Sequence, residues 1–262
     1  MQLDPGQCTV LSTKPFWTAL ETEAILREYA ARLPFARVRS LGQTAEERDL
    51  WVIETEPREE RVFIHSSFQS AEFAGDTVLH VLDRLGTPTR RSAGFLDRFQ
   101  FTIFPVPMPD GVAHGTSIMN ARGRCPMFDF GRAQRGEPCA EEALHTWREL
   151  EARSPVLLLD VHVHPGRINS PKLNPVKRHC FPSPHTVERA ARVEQAMLAC
   201  CPEWRIAPVP LDDPAFTMND SLLVLAVQHL GAASFCLQDY AWTAEGTKPL
   251  LITILDTALE AL

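Results

Sequence analysis

The chain has 262 residues, of which 45% are hydrophobic and 23% are charged, the proportions of an ordinary soluble globular protein. This length is near the upper size of one domain, so we expect a single domain over residues 1–262 with one large core. The formal net charge of −7 and the lack of basic clusters argue against a nucleic-acid or anionic-membrane surface, both of which reward grouped Lys and Arg.

The N-terminal sequence and the cysteines bear on the cellular compartment. Met1–Pro5 is not a basic start followed by an apolar run, and no apolar stretch of about 18 residues occurs in the chain. The seven cysteines are scattered without a C-x-x-C pair, as expected for reduced thiols. We therefore expect a cytoplasmic protein.

The first half of the chain predicts helices and strands in alternation. Apolar spacing and breakers predict a helix over Glu21–Leu33, a strand pair over Ala36–Leu41 and Asp49–Thr55, a buried strand around Val62, a helix over Ser70–Leu85 and a strand over Phe99–Val106. An irregular stretch, Pro107–Cys139, follows. Loops of that length inside a compact domain are usually functional.

The second half continues the alternation. The pattern predicts helices over Glu141–Arg153, Pro184–Cys200, Asn219–His229 and Pro249–Leu262, strands over Val156–His162 and Ala233–Leu237, and a polar, proline-bearing loop over Ile168–Phe181. Strands that alternate with helices indicate an α/β fold with helices on both faces of a sheet.

Two predicted strands end in side chains that bind metal ions in many proteins. One runs into a loop that presents the carboxylate of Glu72 just before a helix, and a later one carries Asp160 and His162, with His164 two residues on. Zinc hydrolases gather ligands in this way, because side chains from neighbouring strand ends can reach one cation. The simpler explanation for Glu72 alone is stabilisation by the dipole of the following helix.

The order of these segments resembles the zinc carboxypeptidase family, the carboxypeptidase A-like metallopeptidases. The resemblance covers nearly the whole chain, from about Pro15 onward. It rests on seven blocks, namely Ser40–Leu50, Gln69-Ser70-Ala71-Glu72, Pro107–Gly111, Asn120–Gly123, Asp129–Arg132, Asp160-Val161-His162 and Ser234–Gln238.

The resemblance implies a fold and a set of site residues. It implies one α/β domain with a central, twisted, mostly parallel eight-stranded sheet, helices on both faces and a pocket at the carboxyl ends of the strands. By position, Gln69, Glu72 and His162 correspond to the zinc ligands, with Asp160 orienting His162. Gln238 corresponds to the catalytic glutamate, whereas Arg132 and Asn120 correspond to substrate-binding positions.

Several of these positions carry residues that cannot do the family's chemistry. Gln69 offers a neutral amide, a poor zinc ligand, where a histidine is expected. Gln238 cannot accept a proton near neutral pH. Ile118 stands where an arginine would stabilise an oxyanion, and Gly131 where an asparagine precedes Arg132. We therefore expect a weakened or lost zinc site, beside an arginine still able to clamp a carboxylate.

Three hypotheses of function follow. The leading one is a carboxypeptidase-like pseudoenzyme that binds a peptide-like or carboxylate-bearing ligand with little or no hydrolysis. The alternative is an active zinc-dependent carboxypeptidase or amidase in which His65 or His164 completes the metal site and Asp239 or Glu245 serves as base. The third is a binding or scaffolding subunit that keeps only the fold.

Some residues have simpler explanations that the sequence leaves open. His65 is better explained as a core histidine bonded to a backbone carbonyl, and Arg132 is explained equally well as a surface arginine. His162 and His164 face the same side of a strand, a spacing that amidohydrolases also use, although their barrel would place this strand near the N-terminus. Asp239 points away from the side that Gln238 faces, because adjacent strand residues alternate.

Overall fold

A mixed eight-stranded sheet organises the chain. The computed structural model describes residues 18–70, 72, 74–165, 171–210, 218–241 and 248–262. The strands are β1 (Ala36–Gln43), β2 (Asp49–Thr55), β3 (Glu60–Ser66), β4 (Phe99–Phe104), β5 (Leu157–Pro165), β6 (Lys172–Pro175), β7 (Arg205–Ile206) and β8 (Ala233–Ala241). Their order across the sheet is β1-β2-β4-β3-β5-β8-β6-β7.

The centre of the sheet is parallel and its flanks are mixed. Strands β4, β3, β5 and β8 run parallel, whereas β1 and β2 add to one side as antiparallel neighbours. On the other side β6 pairs antiparallel with β8 and parallel with β7. The predicted α/β fold with a mostly parallel eight-stranded sheet is therefore confirmed.

Helices cover both faces of this sheet. They are α1 (Ala19–Arg32), α2 (Ala74–Gly86), α3 (Arg90–Arg98), α4 (Pro109–His114), α5 (Phe130–Gln134), α6 (Glu141–Arg153), α7 (Pro184–Cys200), α8 (Leu222–Leu230) and α9 (Lys248–Ala261). Among the described residues, no helix combines the length and apolarity that crossing a bilayer requires.

Alternation along the central strands separates two hydrophobic cores. Ile64 and Leu159 point into a core that also contains buried residues of α2, α7 and α9. Phe63 and Leu158 point to the opposite face, where Trp147 of α6 and residues of α8 pack. Successive strand residues face opposite sides, and both faces of the central strands carry apolar side chains. This is expected for a parallel sheet that is covered by helices on both faces.

The sequence prediction misplaces some elements. The predicted loop Ile168–Phe181 contains strand β6, which has four residues, two of them polar and one proline. This strand owes its conformation to pairing with β8, a non-local contact that local propensity does not report. Helix α3 was also not predicted; it is short and largely polar, and it begins at a Thr89 cap.

The loop after β3, which leads to Glu72, is anchored to both neighbouring strands. Ser67 N–H donates to Val161 O at 2.9 Å, and Ser66 Oγ donates to Pro105 O at 2.6 Å. Ser70 N–H donates to Ser117 O, and α2 begins at Ala74 rather than at Ser70 as predicted. These bonds fix the approach of the chain to Glu72.

Phe68 anchors the same loop to the core. Its ring is buried and packs edge-on against Phe104 and Phe130, with centroid distances of 6.5 and 5.2 Å. Phe68→Ala is expected to lower the free energy of unfolding by about 3–5 kcal/mol, because the cavity left by a large ring adds to the lost burial. Urea denaturation measures this loss.

The control for Phe68→Ala is Leu20→Ala. Leu20 is 80% exposed on α1, so this change should stay within about 0.5 kcal/mol of the wild type. A loss at Phe68 no greater than the loss at Leu20 would contradict the packing of the loop.

Candidate metal and ligand site

His162 is held between two carboxylates. Its Nε2 lies 3.1 Å from Asp160 Oδ2, and its Nδ1 lies 3.0 Å from Glu72 Oε1. The side chains of His162 and Glu72 are 5% and 3% exposed. The strand ends therefore bring together Glu72 and His162, two of the three residues predicted as ligands, and place Asp160 where it orients the ring.

Glu72 also contacts His164. Glu72 Oε1 lies 3.2 Å from His164 Nδ1, and Glu72 Oε2 accepts from the backbone N–H of Val163 at 3.2 Å. The rings of His162 and His164 are stacked with centroids 5.6 Å apart, because residues two apart on β5 share a face. One carboxylate oxygen thus meets two imidazole nitrogens.

The charges of this group support one another. Burial by itself would lower the pKa of His162, but Asp160 and Glu72 hold it well above its usual range. Burial likewise opposes the charge of Asp160, yet His162 and His65 hold the pKa of Asp160 below its ordinary value. Burial lowers the pKa of His164, so this ring is neutral near pH 7. The metal-free site thus holds a protonated His162 beside a neutral His164.

His65 lies on the neighbouring strand, in register with Asp160. It is fully buried, and its Nδ1 lies 2.7 Å from Ser66 O and 3.6 Å from Asp160 Oδ1. Burial lowers the pKa of His65. This arrangement agrees with the interpretation of His65 as a core histidine bonded to a backbone carbonyl.

A cavity of about 230 Å³ opens beside His162. We name it the His162 cavity. Gln69 and Gln238 both line it, as do Asp160 and His162, and its wall is partly apolar, with Met127, Val209, Met218 and Leu223. Gln238 stands on β8 in register with His162. Three of the predicted positions, Gln69, His162 and Gln238, therefore share one cavity, whereas Glu72 contacts His162 but lines a different cavity, together with Gln69.

Two predicted substrate-binding residues lie elsewhere. Asn120 is buried, donates from Nδ2 to Glu142 Oε2 at 2.9 Å and accepts from the backbone N–H of Arg122 and Arg124, so it holds a turn. Arg132 is exposed on α5 and donates from Nε to Pro138 O at 2.8 Å. Neither is among the described residues that line the His162 cavity.

The alternative bases are also separated from the cavity. Asp239 lines a different, narrower cavity with Leu237 and Leu251, on the opposite side of β8 from Gln238. Glu245 lies outside the described residues. Asp160 is the one carboxylate among the described residues of the His162 cavity.

The donor atoms suit a metal ion. Among the described residues there are two groups of three ligand atoms, and within each group the atoms lie within 4.8 Å of one another. His162 belongs to both groups: one adds Glu72 and His164, and the other adds Asp160 and Cys236. Imidazole and carboxylate are zinc ligands, and the first group has the two-histidine, one-carboxylate composition found in catalytic zinc sites. The residues therefore fit the metal that the sequence resemblance implies.

Sequence reasoning missed three residues of this region. Cys236 and Asn174 line the cavity, and Lys172 stands opposite Gln238 on β6, where its charge adds to the burial that lowers the pKa of His164. Cys236 lies two residues before Gln238, so the alternation of a strand already predicted the shared face. Asn174 and Lys172 belong to the strand that was predicted as a loop.

Comparison with known proteins agrees with the fold. The sequence model of the zinc carboxypeptidase family matches residues 22–140. The metallo-carboxypeptidase of Burkholderia cenocepacia has a TM-score of 0.78 with 18% identity, over 94% of this chain and 69% of its own. No curated protein sequence matches the chain.

Two further solved structures share the fold. The metallo-carboxypeptidase of Pseudomonas aeruginosa, in complex with (2-guanidinoethylmercapto)succinic acid, has a TM-score of 0.75 and 17% identity, over 91% of this chain and 67% of its own. Carboxypeptidase A of Helicoverpa armigera has a TM-score of 0.69 and 14% identity, over 94% and 72%. The family model thus matches a little under half of the chain, and the solved structures show that the chain shares the metallo-carboxypeptidase fold.

The charge state of the two histidines is open to titration. In metal-free protein, His162 should keep both ring protons above pH 7, because two carboxylates face it, whereas His164 should be neutral at the same pH. Ring ¹⁵N chemical shifts followed through a pH titration measure both states. A His162 that loses its proton below pH 6.5, or together with His164, would contradict this electrostatic account.

Stability should follow the same titration. The folded-state pKa of His162 lies above its unfolded value near 6.5, so the charged ring stabilises the fold fully below about pH 6.5. This contribution is lost as pH rises through the folded pKa. His162→Gln should therefore cost more free energy of unfolding at pH 6 than at pH 9, by urea denaturation.

Proposed function

We propose that this zinc carboxypeptidase-like protein binds a peptide-like or carboxylate-bearing ligand in the His162 cavity and hydrolyses it slowly or not at all. One observation carries the proposal: Gln238, an amide, stands in register with His162 where the family resemblance implies the catalytic glutamate. The sole described carboxylate of the cavity, Asp160, is already bonded to His162.

The expected loss of hydrolysis follows from the rate contributions of the missing groups. A general base typically contributes about 10²–10⁴ in rate, and one oxyanion donor about 10²–10³. The chain has Gln238 at the first position and, by the resemblance, Ile118 at the second. These losses together leave a hydrolysis rate too low for efficient catalysis.

The capacity to bind is better preserved. Gln69, Gln238 and Asn174 supply amide groups that donate and accept hydrogen bonds, and a metal ion held by His162 would supply the positive charge. Apolar side chains complete the wall, the usual composition of a small-ligand site. The complex of the Pseudomonas aeruginosa relative with a succinic acid derivative supports a carboxylate as the recognised group.

Zinc fits the proposal through its ligand chemistry. A zinc ion bound beside the cavity would act as a Lewis acid toward a ligand oxygen. Glu72, His162 and His164 are the side chains that would hold it, with Asp160 orienting the ring of His162. In this proposal, Arg132 on the exposed side of α5 contacts a longer ligand only outside the cavity.

An active enzyme with rearranged ligands is the second candidate. The contact of 3.2 Å between His164 Nδ1 and Glu72 Oε1 favours it, because His164 could complete the metal site in place of Gln69. The position of Asp239 in a separate cavity counts against it, since that carboxylate cannot serve as the base there. We also propose a cytoplasmic location, supported by the six described cysteines, none of which forms a disulfide.

Binding and turnover separate these candidates. Isothermal titration calorimetry with an N-acetylated dipeptide should detect binding of the free acid and weaker binding of its C-terminal amide, while chromatography of the same mixture should detect little product. Equal affinity for acid and amide would contradict carboxylate recognition.

Restoring the base tests the assignment of Gln238. With zinc present, Gln238→Glu should raise kcat/KM for the dipeptide by on the order of 10² or more, because it supplies a proton acceptor beside His162. The matched control is Gln238→Asn, which keeps a neutral amide and should leave the rate at the wild-type level. Fast hydrolysis by the wild type, unchanged in Gln238→Glu, would show that another residue is the base.

A further inference from the structure

We propose that a zinc-class divalent ion is held by Glu72, His162 and His164, so that His164 at the end of β5 replaces the ligand that the family motif places at Gln69. This inference deepens the proposed function, and rests on it in assigning the metal to ligand binding rather than to hydrolysis. It concerns the chain's own residues, of which His164 is the new element.

The donor atoms of the three residues already converge. Glu72 Oε1 lies 3.0 Å from His162 Nδ1 and 3.2 Å from His164 Nδ1. In a tetrahedral zinc site with ligand distances of about 2.0–2.1 Å, neighbouring ligand atoms are about 3.3–3.4 Å apart. The two observed separations are close to that edge length, and the whole group lies within 4.8 Å.

Hydrogen bonds fix which atoms face the metal position. Asp160 Oδ2 accepts from Nε2 of His162, which leaves Nδ1 to meet Glu72. The backbone N–H of Val163 donates to Glu72 Oε2, so Oε1 is the oxygen that contacts both imidazoles. A carboxylate behind a ligating histidine is the usual way in which proteins orient such a ring.

The competing group of ligands is less suited to an ion. It would use Asp160, His162 and Cys236, but Asp160 Oδ2 already accepts from His162 Nε2, and Cys236 is buried. His164 is 24% exposed, so the first group can exchange its ion with solvent.

Gln69 explains why the ligand should change position. It lines the cavity, but its neutral amide is a poor zinc ligand. Two residues beyond His162 on the same strand, His164 presents an imidazole on the same face. His164 at the end of β5 therefore replaces Gln69, in the loop after β3, as the third ligand.

Zinc affinity of single variants tests the inference. Competition with a chromophoric chelator on the full chain should find one equivalent of zinc. His164→Ala should weaken the affinity by more than about 100-fold, since even the loss of a hydrogen-bond partner of a ligand costs about 10–100-fold. Because His164 is partly exposed, the variant should fold, which circular dichroism checks. Gln69→Ala is the matched control and should leave zinc affinity unchanged.

Cys236→Ser separates the two groups of ligands. This variant should bind zinc as the wild type does, and Co²⁺ bound to the wild type should show no thiolate charge-transfer band. A folded wild type that binds no zinc would overturn the inference. Equal affinity in His164→Ala, or a loss of affinity confined to Cys236→Ser or Gln69→Ala, would overturn it as well.

Failure here is distinguishable from failure of the proposed function. Zinc affinity is measured without any peptide, and dipeptide binding can be repeated after treatment with a chelator. If the protein binds zinc but does not bind the dipeptide, only the proposed function is contradicted. If the protein binds no zinc and still binds the dipeptide after treatment with the chelator, only the metal inference is contradicted.

Discussion

The pairing of His162 with Glu72 on one side and Asp160 on the other is the interaction on which the site depends. It joins the loop after β3 to the end of β5, and it places a buried imidazole where its charge is balanced by two carboxylates. Removing either carboxylate would leave a buried polar group less well satisfied, which is costly in a protein interior. The arrangement of the ligand group follows from this contact.

Parallel strand register explains why such a contact can form. Asp160 lies in register with His65 on one neighbour and with Cys236 on the other, and His162 lies in register with Gln238. Carboxyl ends of parallel strands share one edge of the sheet, which is where open α/β folds bind ligands. A short-range pattern such as Asp-x-His thereby acquires partners from residues about 75–95 positions away in the sequence.

Sequence reasoning reached the fold through repeating apolar patterns and much of this site through the family resemblance. Apolar runs predicted the central strands, and the Pro184 start of α7 was predicted from its cap. Glu72, His162 and Gln238 were placed together by resemblance, and the structure brings Glu72 against His162 and aligns Gln238 with His162. The role of Asn120 was different: its side chain holds a turn through Glu142, a long-range bond that spacing does not encode. Strand β6, with Lys172 and Asn174, was missed because pairing with β8 creates it.

The substitutions at Gln69 and Gln238 have opposite consequences in this account. His164 can compensate for the first, because strand alternation supplies a second imidazole on the same face as His162. The second has no such substitute among the described residues, since Asp239 lies on the other side of β8. Metal binding can therefore persist where proton transfer is lost, which is the physical basis for a binding protein built on a hydrolase fold.

Anomalous X-ray diffraction at the zinc absorption edge, on crystals grown with zinc, tests this account most directly. We expect one strong peak between Glu72 Oε1, His162 Nδ1 and His164 Nδ1. A peak between Asp160, His162 and Cys236, or no peak near His162, would contradict it.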